Sequence, residues 1–230
     1  MLNLSVMLSC FVIVVSHVFA QEKGKFNTVE WNINNTENIA GYKTSKQGSP
    51  TIVETKDYGS VIHFNGDNTG LLVENNPLEG AENFTVEVIF KPDSTYPENV
   101  EQRFVHIQDP SYNNRRVLIE LRMTEGNKWY LDTFIKADTT ELTLVSPENL
   151  HPAGEWAHAA LVYKNGIMTH YVNGKKEISG EVKYLPITNA FTSIGTRMNH
   201  ISWFKGMIAV LKVTHKALSP DEFTLGENIK

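Results

Sequence analysis

The chain has 230 residues, of which 41% are hydrophobic and 20% charged. That is a globular composition for one domain, or one domain with appendages, and it excludes a disordered or collagen-like chain. Its 26 acidic and 21 basic residues leave a formal net charge of −5, with no Lys/Arg run, which argues against nucleic acid as a partner.

The first 20 residues read differently from the rest. Leu4 to Ala20 is almost wholly apolar, and no charged side chain precedes Glu22. Small residues at Val18 and Ala20 precede the polar turn at Gln21, the pattern of a secretory signal cleaved after Ala20. An uncleaved anchor is the competing reading, because the segment starts without a basic residue. The expected organisation is a signal over 1–20 and one domain over 21–230. The mature chain would then be secreted or periplasmic, with no membrane span. The single cysteine, Cys10, falls in the removed segment, so no disulfide, CxxC pair or cysteine zinc site is expected.

Residues 21–30 read as a flexible arm. Beyond them, short runs rich in Val, Ile, Phe, Tyr and Thr alternate with turn signals. Ser60–Phe64, Phe84–Phe90, Val117–Met123, Trp129–Ile135, Ala157–Tyr163, Met168–Val172 and Gly206–Val213 are the clearest. Such spacing predicts an all-β sandwich or barrel. Val86, Val88 and Phe90 alternate with Thr85, Glu87 and Ile89, which predicts one inward face and one half-exposed face. Asn165-Gly166 and Asn173-Gly174 sit between strand-like runs and predict tight turns, the first closing a hairpin of 157–163 with 167–172. Ser219-Pro220-Asp221-Glu222 predicts a short helical turn with Ser219 as its cap.

Three segments carry a family resemblance. Asn83-Phe84-Thr85-Val86-Glu87-Val88-Ile89-Phe90-Lys91-Pro92 resembles the "F-T-x-E-x-W-x-K-P" strand of laminin-G-like domains, with Ile89 where an aromatic is usual. Glu155-Trp156-Ala157-His158 through Tyr163, with Tyr171-Val172-Asn173-Gly174, resembles "W-x-H-V-A-x-x-Y … Y-V-N-G". Ser193-Ile194-Gly195, Phe204-Lys205-Gly206 and Ala217-Leu218-Ser219-Pro220 resemble the closing segments. The resemblance spans roughly residues 28–225. It implies a concanavalin A-like jelly roll: two antiparallel sheets packed face to face, one of them concave.

Polar residues inside strand-like runs are the candidate site. Val117, Ile119, Leu121 and Met123 alternate with Arg116, Leu118, Glu120 and Arg122, so the second set shares one strand face. Tyr130 and Asp132 share a face, as do His106 and Gln108. His170 stands where the family pattern has an aliphatic residue, and Arg197 to Trp203 form a loop rich in polar and stacking groups. Planar polar groups beside an aromatic suit a sugar. The expected contacts are Glu120, Arg122, Asp132, His170, Arg197, Asn199 and Trp203, for a secreted non-catalytic module that binds an extracellular glycan or polysaccharide on the concave sheet face. The bland alternative is cross-strand charge pairing on a solvated face.

Two other classes stay open. A polysaccharide-active enzyme would use Arg122 and Arg197 for a uronate and His170 or Tyr130 as base. The Glu-x-Asp-x-x-Glu strand of jelly-roll glucanases is absent, but Glu120 and Asp132 could pair from neighbouring strands. An adhesion module would engage a protein partner through loops. The resemblance also implies calcium as a cofactor, for which Asn65, Asp67, Asn68 and Asp109 are donors of the right type. The same residues are ordinary turn formers, so that reading is open as well.

Overall fold

The computed structural model describes residues 27–225. The expected signal segment and Cys10 lie outside them. The described chain is almost entirely strand. In order the strands are β1 (Thr28–Asn32), β2 (Asn38–Ile39), β3 (Tyr42–Gln47), β4 (Thr51–Thr55), β5 (Gly59–Asn65) and β6 (Gly70–Val73). They continue with β7 (Phe84–Pro92), β8 (Glu101–Asp109), β9 (Tyr112–Thr124), β10 (Lys128–Ala137), β11 (Thr140–Val145) and β12 (His151–Pro152). The last are β13 (Ala157–Lys164), β14 (Ile167–Val172), β15 (Lys175–Glu181), β16 (Phe191–Ile194) and β17 (Lys205–Thr214).

These form two antiparallel sheets. The eight-stranded sheet runs β15-β14-β13-β7-β17-β5-β4, with β1 also on β17. The nine-stranded sheet runs β11-β10-β9-β8-β16-β6-β3-β2, with β12 on β10. Neighbours such as β8 and β16 are far apart in sequence, as in the expected jelly roll. No helix among the described residues is long and apolar enough to cross a membrane.

The predicted turns are present. Asn165 and Gly166 have φ of 48° and 91°, and Asn173 and Gly174 have 48° and 74°. Positive φ at both central residues is what a tight hairpin turn demands. The closing turn is a 3-10 helix, Pro220–Glu222, in which the Glu222 carboxylate accepts from the Ser219 backbone N–H at 3.0 Å.

Aromatic side chains weld the sheets together. Phe90 on β7 stacks on Phe104 of β8 at 4.5 Å and meets Trp129 of β10 edge-on at 5.1 Å. Phe204 lies 5.3 Å from Phe104. All four are fully buried. These rings join β7 of one sheet to β8 and β10 of the other.

Two expectations about exposure need correction. Residues 28–30 are not an arm: they belong to β1, which pairs with β17, and Trp31 of the same strand is buried. The outer face of β7 is not half exposed. Thr85, Glu87 and Ile89 are buried. The chain after β17 folds back over this face: the Thr85 hydroxyl donates to Lys216 O at 2.8 Å, and Phe223 lies 5.4 Å from the His158 ring. Beneath it His158 meets the Glu87 carboxylate at 3.1 Å.

Replacing Phe90 by Ala removes the ring shared by both sheets, and the expected loss is about 3–5 kcal/mol in urea unfolding. Ile52, 54% exposed on the edge strand β4, is the control, where Thr should stay within about 0.5 kcal/mol. Equal losses at both positions would contradict this location of the core.

Candidate functional site

The site lies on the outer face of the nine-stranded sheet. Alternation on β9 sends Val117, Ile119, Leu121 and Met123 into the core. Arg116, Leu118, Glu120 and Arg122 therefore face outward. On β10, Glu120 stands opposite Asp132, Leu118 opposite Phe134, and Arg122 opposite Tyr130. On the other side β8 places Arg103 opposite Glu120 and Glu101 opposite Arg122. The loop after β16 adds Arg197. Arg103, Arg116, Leu118, Glu120, Arg122, Asp132, Phe134, Thr143 and Arg197 line a hollow of about 140 Å³.

An ionic lattice crosses this face. Both Nε and Nη2 of Arg122 reach Asp132 Oδ2 at 2.8 Å, and its Nη1 meets Glu101 Oε2 at 3.2 Å. Arg103 donates from Nε to Glu120 Oε1 at 2.6 Å, and also contacts the Glu101 carboxylate and the Ser202 hydroxyl. Glu101 thus bridges the two arginines. Asp132 Oδ1 is buried and accepts no hydrogen bond among the described residues.

Burial sets the protonation of this lattice. Desolvation, and then the neighbouring Asp132, push the Glu120 carboxyl up to about 7 against the pull of Arg103. Burial also raises Asp132, although Arg122 opposes it. His106, three residues after Arg103 on β8, is driven down to about 3 by burial and by Arg197 and Arg116. Its geometry agrees: Nδ1 accepts from the Met198 N–H at 2.9 Å, so Nε2 carries the proton toward Gln108 Oε1 at 3.0 Å.

The structure brings together four of the expected contacts: Glu120, Arg122, Asp132 and Arg197. It does not bring His170 to them. His170 is fully buried on the inner face of β14, bonded through Nδ1 to the Thr133 hydroxyl of the opposite sheet at 3.0 Å. Its Nε2 lies 3.3 Å from Glu177, which His151 also contacts at 2.7 Å. It is a polar link between the sheets and cannot reach a substrate as ligand or base. Asn199 is exposed at the loop tip, and the half-buried Trp203 packs beside Gly70 and 6.1 Å from the His200 ring. Neither lines the hollow. Tyr130 faces outward beside it, opposite Arg122.

Arg103 and Arg116 line the hollow and Glu101 braces two of its arginines, and none of the three is among the expected contacts. Arg116 was visible in the β9 alternation. Arg103 was hidden by a bulge: the register with β9 shifts between Arg103 and Val105, so Arg103 and His106 share a face despite their odd spacing.

The proposed calcium donors do not fit the ion. Asn65 Oδ1 is occupied by the N–H groups of Asp67 and Asn68 and by the Thr69 hydroxyl, at 2.9–3.1 Å. Asp109 Oδ1 accepts from the N–H and hydroxyl of Ser111. The Asn65 turn touches Asn99, just before β8, whereas Asp109 ends that nine-residue strand. They are therefore about 25 Å apart at ~3.3 Å per residue. Calcium needs 6–8 converging oxygens, and these groups are two separate turns.

A family model described as the concanavalin A-like lectin/glucanases superfamily, of laminin G type, matches residues 65–223. The chain belongs to this superfamily. Its matched region includes every residue of the hollow. No curated protein matches it in sequence. Among solved structures it is similar to domain 4 of AbnA, an extracellular arabinanase from Geobacillus stearothermophilus solved with arabinotriose. Identity is 19%, with 84% of this chain and 94% of that chain covered and a TM-score of 0.59. It is also similar to a SAP-like pentraxin from Limulus polyphemus, with 17% identity, 70% and 77% coverage and a TM-score of 0.54. The binding domain of botulinum neurotoxin DC, solved with SialylT, matches at 14% identity and a TM-score of 0.61, over 85% of this chain and 49% of its own. At these identities the likeness establishes the fold of the superfamily.

The raised Glu120 carboxyl has a testable sign. A carboxyl higher in the folded than in the unfolded state stabilises below the unfolded value near 4.5 and loses that contribution as pH rises through about 7. His106 acts oppositely, since its lowered value costs stability as pH falls below about 6.5. The difference between Glu120→Gln and the parent isolates the first effect. The variant should gain roughly 2–3 kcal/mol relative to the parent between pH 4.5 and 7.5, read by urea unfolding. A flat difference would show that Glu120 titrates normally.

Proposed function

We propose that this chain is an exported, non-catalytic carbohydrate-recognition domain that binds sugar in the hollow on the outer face of the nine-stranded sheet. The observation that carries the reading is the hollow itself. Planar guanidinium and carboxylate groups, a hydroxyl at Thr143 and an apolar wall at Leu118 and Phe134 converge there. Vicinal sugar hydroxyls are recognised by such planar groups, held rigid before the ligand arrives. Two proteins of the same fold support the choice, one solved with arabinotriose and the other with SialylT.

The non-catalytic part rests on how the reactive groups are held. Arg103 and Arg122 clamp the two facing carboxylates, and His170 is sealed in the core. The raised Glu120 beside Asp132 favours a second reading, a glycoside hydrolase with Glu120 as proton donor. Release of reducing ends from a bound glycan separates the two.

The purified protein on a glycan array is expected to retain at least one glycan. Arg122→Ala should weaken that binding at least tenfold with the fold retained by circular dichroism, and no reducing ends should appear. Binding untouched by Arg122→Ala would place the ligand on the loops, as an adhesion module requires. Reducing ends lost in Glu120→Gln would establish the hydrolase. For export, the mass of the protein recovered outside the cell should correspond to a chain starting at Gln21; retention of residues 1–20 would favour the anchor.

A further inference from the structure

Four guanidiniums line the hollow, and they are not equivalent. Arg103 and Arg122 are consumed by Glu101, Glu120 and Asp132. Arg116 and Arg197 have no carboxylate within 4.0 Å among the described residues. Glu141 acts on Arg116 only through space, because its carboxylate is bonded to Lys136 at 2.8 Å. Arg116 lies 4.9 Å above the Phe134 ring, and its Nη1 donates to the Asn113 carbonyl. Its Nε is buried with no hydrogen-bond partner. Arg197 makes no side-chain hydrogen bond among the described residues.

Two cations held together without a direct ion pair repel each other, and Glu141 and Glu120 offset this for Arg116 only from a distance. The effect is visible in Arg116, which burial and then Arg197 hold below the ordinary arginine value. It is visible again in His106, which both arginines help to keep neutral. The arrangement is therefore costly in the free protein. Its relief requires an anion, and two planar forks present paired donors matched to an oxyanion. The overall charge of −5 means that the attraction is local. A general basic field would draw in any polyanion.

From this geometry we infer that the sugar bound in the hollow is acidic, its carboxylate or sulfate oxygens held between Arg116 and Arg197. This rests on the carbohydrate reading above. In it Arg103 and Arg122 are fixed by their own carboxylates and frame the hollow, while Arg116 and Arg197 select the ligand. Leu118 adds an apolar patch to the lining, and Phe134 carries Arg116 on its ring face.

Affinity electrophoresis of the whole protein tests it. The acidic gels contain polygalacturonate, alginate or hyaluronan for the carboxylate and chondroitin sulfate or dextran sulfate for the sulfate ester. Dextran, arabinan and xylan are the neutral gels. Retardation by at least one acidic polymer is expected, with no comparable retardation by the neutral ones. Arg116→Gln and Arg197→Gln should each cut that affinity at least tenfold. Arg197→Gln is the safer variant for folding, since it breaks no bond, and thermal melting checks both. Which acidic set retards the protein distinguishes carboxylate from sulfate. Retardation by neutral polymers alone, or acidic binding unchanged in both variants, would overturn the acidic ligand and leave the carbohydrate reading standing. Retardation by no polymer would overturn both.

Discussion

Glu120 and Asp132 stand opposite each other on adjacent strands, and the rest of this face is arranged around their repulsion. Two buried carboxylates side by side cannot both stay ionised without help. Arg103 comes from β8 to one of them, and Arg122 comes diagonally along β9 to the other. Glu101 ties the two arginines together. The result is a rigid lattice whose two arginines are already paired, beside two that are not, Arg116 and Arg197. Those are the positions from which the protein can still bond something else.

The lattice depends on the core below it. The same strands that carry it send Phe104, Ile119, Leu121 and Trp129 inward, where Phe90 of the other sheet locks them. Because side chains alternate strictly along a strand, a slip of one residue would turn the lattice into the core and the core into solvent. Packing below therefore fixes the spacing of charges above. The bulge at Arg103–Val105 is the departure beside the lattice, and it leaves Arg103 on the outer face.

The fold was legible because its signals are local. The Asn-Gly turns, the alternation on β9 and the hairpin of β13 with β14 can each be read from a few residues. The polar strands β3 and β15 and the covered face of β7 could not. β3 is mostly polar and exposed, so it lacks the apolar alternation that marks a strand. The cover over β7 is supplied by a segment more than 120 residues later. The site divides in the same way. Glu120, Arg122 and Asp132 follow from strand periodicity on two consecutive strands. His170 was misplaced, because periodicity says that Met168, His170 and Val172 share a face but not which face is inward. The aliphatic family pattern at that position was the sign that it points into the core. Arg103 was lost to the bulge, a one-residue irregularity that no hydrophobic pattern reveals.

The central claim is that a fixed lattice frames two uncommitted arginines that take the ligand. Nitrogen-15 NMR of the arginine Nε–H groups tests this directly during titration with a bound oligosaccharide. The account predicts that the Arg116 and Arg197 resonances shift most, while Arg103, held by three partners, barely moves. Shifts confined to arginines outside the hollow, such as Arg115 at its Asp138 ion pair, would contradict it.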